Sequence, residues 1–211
     1  MLSNPIYVEQ GAPEWFQARL GRATASRFGD IMAKIKTGEP ASRKNYRALL
    51  VAERLTGIRE ETFQSSAMAW GTETEPLARL RYALSSGNDV KECGFFAHND
   101  LMVGASPDGL VAEDGLLEIK CPNSATHIET LRKELVPYLY YWQVMGQIWI
   151  TGRQWCDFVS FDPRMPANAQ YFCTRVWRDE AKVKQLQTEV TAFLESVDSD
   201  VAFIENYKKE D

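Results

Sequence analysis

The stretch that decides the fold spans residues 104–122 and reads GASPDGLVAEDGLLEIKCP. Its Pro-Asp-Gly and Glu-Asp-Gly sequences are typical of turns, and the first of them carries Asp108. The apolar run that follows the second turn is typical of a short strand, and it carries Glu118 and Lys120. The pattern therefore predicts two strands, with Asp108 in the turn at the start of the first and with Glu118 and Lys120 on the second.

Alternation along the second strand gives these charges a common direction. Side chains on a strand point to opposite faces in turn, so Glu118 and Lys120 share one face while Leu117 and Ile119 point into a core. If the two segments pair as a hairpin, Asp108 comes to lie beside the other two charges. We therefore expect two carboxylates and one lysine on a single sheet face.

This combination of charges indicates a chemistry. Two carboxylates held close together repel one another unless a proton or a metal ion lies between them. Oxygen-rich carboxylate sites suit Mg²⁺ or Mn²⁺, and a neighbouring lysine can position a water molecule or help to remove its proton. The stretch therefore favours metal-assisted hydrolysis.

The composition sets limits on the kind of protein. The chain has 211 residues, of which 45% are hydrophobic, and no linker divides it, so we expect a single domain over residues 1–211. With 24 Lys and Arg against 29 Asp and Glu, the formal net charge of −5 argues against coating nucleic acid by bulk electrostatics. Any path for nucleic acid must therefore be a local basic groove.

The four cysteines lack Cys-x-x-Cys spacing and lie in apolar runs, which favours reduced, mostly buried thiols over a disulfide framework. With only two histidines in addition, the composition disfavours a zinc site. The N-terminal residues lack the signature of a secretory signal, and no apolar run approaches the roughly 20 residues that span a bilayer. We expect a soluble protein of the cytoplasm with no membrane partner.

A possible phosphate site comes early in the chain. Residues 24–26, Thr-Ala-Ser, are typical of the start of a helix, and Arg19, Arg22 and Arg27 flank them. Exposed N–H groups at a helix N-terminus, together with hydroxyls and arginines, can bind phosphate. The alternative is an ordinary helix cap with solvated arginines, and both interpretations stay open from these residues alone.

Two further polar patterns allow a structural and a functional interpretation. Glu73 and Glu75 could reach the metal site from a helix, or they could complement the dipole of that helix in its first turn. In the apolar helix predicted from Pro137 to about residue 150, Gln143 and Gln147 lie four apart and therefore on one face. They could satisfy buried backbone groups or donate to a phosphate or a water molecule.

The rest of the chain predicts an α/β protein in which helices flank one central sheet. Helices are expected over residues 14–20, 42–55, 125–133 and 179–207, and strands over residues 154–161 and 170–177. Residues 34–44 are expected to form a loop that could lie over DNA, and residues 90–96 and 101–105 a β-hairpin with His98 in its turn.

Several of these motifs occur together in an order that resembles one known family. The chain is similar to the phage lambda-exonuclease-like viral recombinases, within the PD-(D/E)xK nuclease superfamily. The segments that carry the resemblance are residues 15–21, 24–26, 69–75, 106–110, 117–122, 143–147 and 162–165. The resemblance spans nearly the whole chain, and it implies a restriction-endonuclease-like core with a central mixed β-sheet.

The resemblance implies roles for the charged residues of the opening stretch. Asp108 and Glu118 match the carboxylates that bind metal, and the backbone carbonyl of Ile119 matches a further ligand. Lys120 matches the catalytic lysine, and Glu75 matches a helix-borne acid that completes the site. The implied cofactor is Mg²⁺, for which Mn²⁺ substitutes, with two ions in each active site.

The resemblance also implies a DNA-end site. Arg19, Ser26 and Gln143 match a pocket for the 5′-terminal phosphate, and Thr24 lies close to it. Met68 falls in an apolar wedge that separates the strands, where it replaces a leucine. Ser66 stands where the family has a lysine, so local phosphate contacts are expected to differ.

The activity so implied is 5′-to-3′ digestion of linear double-stranded DNA with 5′ phosphates, which leaves 3′ single-stranded tails for phage-type homologous recombination. The implied partners are two further copies of the chain in a trimeric ring and a single-strand annealing protein, in a bacterial host cell of a phage or prophage. Two alternatives stay open: an endonuclease of the same superfamily, and a non-catalytic DNA-binding recombination partner.

Overall fold

The structure, a computed structural model, describes residues 5–60 and 66–208. Its helices are α1 Pro13–Arg19, α2 Phe28–Met32, α3 Ala41–Thr56, α4 Ser66–Ser86, α5 Ser124–Lys133, α6 Tyr138–Thr151 and α7 Glu180–Glu205. Its strands are β1 Pro5–Ile6, β2 Ala23–Thr24, β3 Val90–Lys91, β4 Phe95–Ala97, β5 Val103–Ala105, β6 Gly109–Val111, β7 Gly115–Lys120, β8 Trp155–Phe161 and β9 Tyr171–Trp177. Short 3₁₀ turns lie at Ala25–Arg27 and Ala167–Ala169.

The strands form two mixed sheets where the sequence predicts one. The smaller sheet has the order β1-β4-β5-β2 and the larger has the order β3-β6-β7-β8-β9. The predicted β4–β5 hairpin is present, but the expected continuous strand over residues 90–96 is wrong, because β3 leaves β4 to pair with β6 in the larger sheet. Helices flank both sheets, as predicted.

The larger sheet is built around β7. It pairs antiparallel with β6, with Gly109 opposite Leu117, and parallel with β8, with Glu118 opposite Phe158. The hairpin expected from the turn sequences is therefore confirmed, and β7 lies in the centre of the sheet.

Both faces of β7 are covered, so the predicted alternation has a core on each side. Leu116 packs with α6 and α7 in the larger apolar cluster. Leu117 and Ile119 pack in a second cluster with Ala78 and Tyr82 of α4. The strand that carries Glu118 is thus held between helices on both faces.

Helix α6 packs against the larger sheet and is deeply buried. Every residue from Trp142 to Thr151 is buried, which fits its continuous apolar sequence. Gly146 allows the close approach of Phe28, because a Cβ atom at this position would collide with the phenyl ring. Gly152 ends the helix in the left-handed conformation that glycine favours, with φ of 72°.

Three expectations for local structure are corrected. The loop predicted over residues 34–44 is shorter, because α3 already begins at Ala41. The helix α4 already runs from Ser66 and contains Pro76, so Glu73 and Glu75 do not lie in a first turn and do not serve its N-terminal dipole. Cys173 is exposed, whereas Cys121 and Cys156 are buried as expected.

Residues 24–26 do not cap a regular helix. The chain forms a 3₁₀ turn before the five-residue α2, and the Thr24 side chain makes no capping hydrogen bond to the backbone. Its hydroxyl instead lies 3.2 Å from the hydroxyl of Ser26. Among the helices of residues 5–60 and 66–208, none is both long enough and apolar enough to cross a bilayer.

Candidate active site

The β6–β7 hairpin brings the two predicted carboxylates together. The Asp108 N–H donates to the Leu117 carbonyl at 3.0 Å, and the Ile119 N–H donates to Asp108 Oδ2 at 2.6 Å. Asp108 is 9% exposed and Glu118 is 1% exposed. Strand pairing therefore fixes Asp108 beside β7, as the turn sequence indicated.

The carboxylate of Glu118 is held by three donors. Gln143 Nε2 donates to Oε1 at 2.5 Å, and Gln147 Nε2 donates to Oε2 at 2.5 Å. Lys120 Nζ lies 2.5 Å from Oε1. The two glutamines of α6 thus donate to a side chain of β7, a contact that neither interpretation of their spacing named, and donation to a phosphate or a water molecule stays a prediction.

The pKa values follow from burial and from this crowding of charge. Burial and the negative charge of Glu118 raise the pKa of Asp108 well above its usual range, and Lys120 offsets part of that rise. Burial alone would lower the pKa of Lys120, but the two neighbouring carboxylates outweigh it and raise the pKa. The site therefore holds two acids against one fixed cation.

Glu75 lies at the edge of this group and is engaged elsewhere. Arg79, one turn along α4, donates to Glu75 Oε1 at 2.5 Å and also to the Asp108 carbonyl. Within residues 5–60 and 66–208, no three His, Cys, Asp or Glu side chains form a group that could hold a metal ion. In this structure the Glu75 carboxylate is paired with Arg79, and the role at the metal site that the resemblance implies for it stays a prediction.

The donor set nevertheless fits a hard divalent cation. Asp108 and Glu118 offer carboxylate oxygens, which Mg²⁺ prefers. Among the described residues, Asp108 Oδ1 accepts no hydrogen bond, since Oδ2 takes the one from Ile119. A cation beside these acids would offset the repulsion that raises the pKa of Asp108.

A basic group lines the same cavity. The Arg19 guanidinium stacks on the Trp15 ring at 4.0 Å, and its NH1 donates to Ser106 Oγ at 3.4 Å. Trp15 Nε1 donates to the same hydroxyl at 2.9 Å. Burial lowers the pKa of Arg19 to about 10, which still leaves it charged at neutral pH. The described residues include no salt bridge to Arg19.

One cavity of about 600 Å³ joins the acidic and the basic groups. The residues predicted for catalysis and for phosphate binding that line it are Arg19, Ser26, Glu75, Asp108, Glu118, Ile119, Lys120 and Gln143. Met68, predicted for the wedge, also lines it and is 54% exposed. Thr24 is the exception, since it is buried behind Ser26 and does not line the cavity.

Three residues at the site were missed from the sequence. Ser106 and Trp15 position Arg19, and Arg79 holds Glu75. The spacing of Glu75 and Arg79 by four on a helix is a recognisable signal for an ion pair. Ser106 and Trp15 are 91 positions apart, so nothing local in the sequence indicates their contact.

The solved structures to which this chain is similar include exonucleases. An alkaline exonuclease from Laribacter hongkongensis, LHK-Exo, is 48% identical, with a TM-score of 0.86 over 92% of this chain and 96% of that chain. Its complex with dAMP matches equally well. A phage-related exonuclease from Haemophilus somnus 129PT shares the fold at 14% identity, with a TM-score of 0.71 over 87% of this chain and 96% of that chain. The predicted restriction-endonuclease-like α/β class is confirmed by these likenesses.

Comparisons at the level of sequence give the family. An uncharacterized protein of Acanthamoeba polyphaga mimivirus, R354, is 24% identical over 166 residues, which cover 72% of this chain and 29% of that protein. The chain therefore spans less than a third of the length of that curated relative. The family model for the YqaJ-like viral recombinase domain matches residues 14–154, which is more than half of the chain. The chain belongs to the YqaJ-like viral recombinase family.

Proposed function

We propose that the protein is a Mg²⁺-dependent exonuclease that digests the 5′ strand of linear double-stranded DNA and leaves 3′ single-stranded tails. The observation that carries the proposal is the cavity, whose lining includes a carboxylate pair with a lysine and also an arginine that has no carboxylate partner among the described residues. A strand end carries both a terminal phosphate and a scissile phosphodiester. The arginine is complementary in charge to the terminal phosphate, and the carboxylate pair would face the scissile phosphodiester through a bound divalent cation.

The comparisons support a nuclease role in recombination. The family is one of viral recombinases, and the neighbour at 48% identity is an alkaline exonuclease. That neighbour binds dAMP, and a deoxynucleoside monophosphate is the kind of product that an exonuclease releases. A cavity of about 600 Å³ has room for one nucleotide together with its phosphates.

The basic end would bind the terminal 5′ phosphate. Arg19 supplies the charge, and its stacking on Trp15 and its contact with Ser106 fix the direction of the guanidinium. The exposed hydroxyl of Ser26 faces the same cavity and adds a donor. Because these groups bind phosphate and not a base edge, the site would set register without reading sequence.

The acidic end would carry out hydrolysis. Asp108, Glu118, the Ile119 carbonyl and Glu75 are the groups that would hold Mg²⁺, with Mn²⁺ as a substitute and two ions as the proposed number. When bound, the metal supplies Lewis-acid polarisation of the phosphoryl oxygen and activation of the attacking water. Lys120, kept protonated by its raised pKa, places a positive charge where negative charge develops. Asp108 and Glu118 would hold the Lys120 ammonium group in place.

The proposal is tested by digestion of three substrates: linear duplex with a 5′ phosphate, linear duplex with a 5′ hydroxyl, and closed circular duplex, each with Mg²⁺ or EDTA. We expect Mg²⁺-dependent release of mononucleotides from the 5′ strand, fastest on phosphorylated ends, and no product from circles. Cleavage of circles would replace the exonuclease by an endonuclease. Absence of any Mg²⁺-dependent product would favour a DNA-binding recombination partner.

The resemblance to viral recombinases supports a proposed assembly as well. We expect three copies in a ring that encloses the duplex, in contact with a single-strand annealing protein in the cytoplasm of the host bacterium. A ring with a basic lining confines DNA topologically, which is compatible with a net charge of −5. The molar mass in light scattering tests this proposal, since a trimer has three times the 24.0 kDa of one chain.

A further inference from the structure

Gln147 lines the cavity and has no role in the proposed phosphate pocket. It is 0% exposed, and its Nε2 donates to Glu118 Oε2 at 2.5 Å. We propose that Gln147 is a positioning residue, which together with Gln143 clamps both oxygens of Glu118 in the orientation that binds the divalent ion. This inference rests on the proposed function and deepens it.

The clamp follows from the geometry of α6. Gln143 and Gln147 are one helical turn apart, and each donates to a different oxygen of the same carboxylate. Two donors from the buried part of one helix, Trp142 to Thr151, fix the rotation of the carboxylate as well as its position. With Gln143 alone, Oε1 would be held while Oε2 could rotate away.

The other half of the Gln147 amide points to the same conclusion. If the amide were turned over, its oxygen would face the Glu118 carboxylate, so the observed orientation is the one that the charge requires. That orientation leaves Gln147 Oε1 buried, and the described residues give it no hydrogen-bond donor. A buried acceptor without a donor destabilises the fold. The amide is therefore better explained by the site that it lines than by packing.

The apolar surroundings of Gln147 also favour a role at the site over a role in packing. Its neighbours Ile148 and Met145 on α6 are apolar and fully buried, and an apolar side chain would fit the same helix without an unsatisfied oxygen. Residues that orient the ligands of a metal typically change metal affinity or activity by about 10–100-fold when they are replaced. Gln147 should act on the site at this scale, and only weakly on stability.

The test is Gln147→Met, which keeps the length of the side chain and removes both polar groups. We expect the dissociation constant for Mg²⁺, measured by calorimetric titration of the full chain, to rise about 10–100-fold. The kcat for 5′-phosphorylated duplex should fall by a similar factor, whereas its KM at saturating Mg²⁺ should change little because the Arg19 end is intact. The thermal midpoint should stay the same or rise.

Thr151→Val is the matched control. Thr151 is buried one turn further along α6, and its hydroxyl donates to the Gln147 carbonyl at 2.7 Å. It does not touch Glu118, so Mg²⁺ affinity should be unchanged in this variant. Gln147→Asn is a second test, since its amide stops one carbon short of Glu118 and should weaken Mg²⁺ binding even if the methionine variant folds poorly.

The outcomes separate this inference from the proposed function. A wild-type chain that digests DNA, together with Gln147 variants that bind Mg²⁺ as tightly as the wild type, would overturn the clamp alone. A lower thermal midpoint with unchanged Mg²⁺ affinity would likewise reduce Gln147 to a packing residue. A wild-type chain that neither binds Mg²⁺ nor digests DNA would overturn both proposals.

Discussion

Two buried acidic groups lie on adjacent strands of the larger sheet, and they are compensated in different ways. On β8, Asp157 accepts two hydrogen bonds from Arg175 at 2.7 and 2.9 Å and one from Tyr82 at 2.7 Å. On β7, Glu118 is held by two neutral amides and by a lysine that also serves Asp108. The first carboxylate has a full bidentate partner, and the second shares one cation with another acid.

The difference separates a structural ion pair from a candidate active site. A buried charge with a complete set of partners holds the fold together, and removal of one partner destabilises the protein. A site that keeps charges without full compensation is available to a ligand that supplies the missing charge. Arg19 is a further charge without full compensation. It lines the same cavity, and the described residues form no salt bridge with it.

The largest effect is expected when Lys120, the cation that Glu118 and Asp108 share, is removed. Lys120→Ala should lower the hydrolysis rate by about 10³-fold, because it removes the positive charge beside the scissile phosphate. Binding to DNA ends should persist, since the Arg19 end is untouched. Single-turnover digestion and fluorescence anisotropy measure the two quantities. Lys133→Ala, which loses an exposed pair with Glu129, is the control, and near-normal turnover of the Lys120 variant would exclude the assigned role.

The next test concerns the cation at the other end. Arg19→Ala should reduce the preference for 5′-phosphorylated over hydroxyl ends by about 10–100-fold, the value of a charge-assisted hydrogen bond. Relative digestion rates on the two ends measure it. Arg22→Ala, outside the cavity, should affect both substrates equally; the same uniform loss in the Arg19 variant would point to general damage instead.

A pair of substitutions tests the comparison directly. Asp157→Asn should cost about 2 kcal/mol of unfolding free energy, because it leaves Arg175 without its carboxylate while water still reaches part of the guanidinium. The thermal midpoint should fall by roughly 4–8 °C. Glu118→Gln should lower the midpoint by less, because the relief of its repulsion with Asp108 offsets the loss of one hydrogen bond from a glutamine of α6, and it should abolish hydrolysis. Equal destabilisation by the two substitutions would contradict the distinction between a structural ion pair at Asp157 and a candidate active site at Glu118.

The smallest effect is a change in how stability depends on pH. The pKa of Asp108 is raised on folding, so the folded chain binds a proton more tightly than the unfolded chain, whose aspartates titrate near about 3.9. Wild-type stability without divalent ions should therefore fall as pH rises from that value through the raised pKa. Because asparagine does not titrate, Asp108→Asn should gain stability over the wild type across the same window. Water in the open cavity screens the effect.

Thermal melts of the Asp108 variant and the wild type in EDTA, from pH 4 to pH 8, measure this difference. The two midpoints should agree at the acid end and separate toward neutral pH. Tyr82→Phe changes the cluster of Asp157, Arg175 and Tyr82, in which the carboxylate has a full set of partners. The midpoint of this variant should differ from that of the wild type by a nearly constant amount over the same pH range. A constant offset for Asp108→Asn would contradict the assigned pKa shift.

The active-site strand could be predicted from the sequence because its signals are local. Turn residues and a period of two place Asp108 beside Glu118 and Lys120, and a period of 3.6 places Gln143 and Gln147 on one face. The spacing of the glutamines could not show that both donate to one carboxylate, since that depends on how α6 packs on β7. Their contact spans 25 and 29 positions of the chain.

The cluster of Asp157, Arg175 and Tyr82 could be predicted only in part. Asp157 and Arg175 lie opposite one another on the consecutive strands β8 and β9, 18 positions apart, and both strands are predicted from the sequence. The contact of Asp157 with Tyr82 spans 75 positions, and nothing local in the sequence indicates it. The split of the strands into two sheets has a similar cause, because the pairing of β3 with β6 depends on non-local contacts. Sequence patterns here determine which face a side chain occupies, and tertiary packing determines what it meets there.

Pro76 has a mechanical consequence for the mouth of the cavity. It lies inside α4, where its ring removes one backbone hydrogen bond, so the helix bends more easily at this point than elsewhere. Beyond it, Ala78 and Tyr82 anchor the helix in the core, whereas the half before it carries Met68 and Glu75. A bend at Pro76 would therefore move Met68 and Glu75, which line the cavity, relative to the core on which the following part of the helix packs.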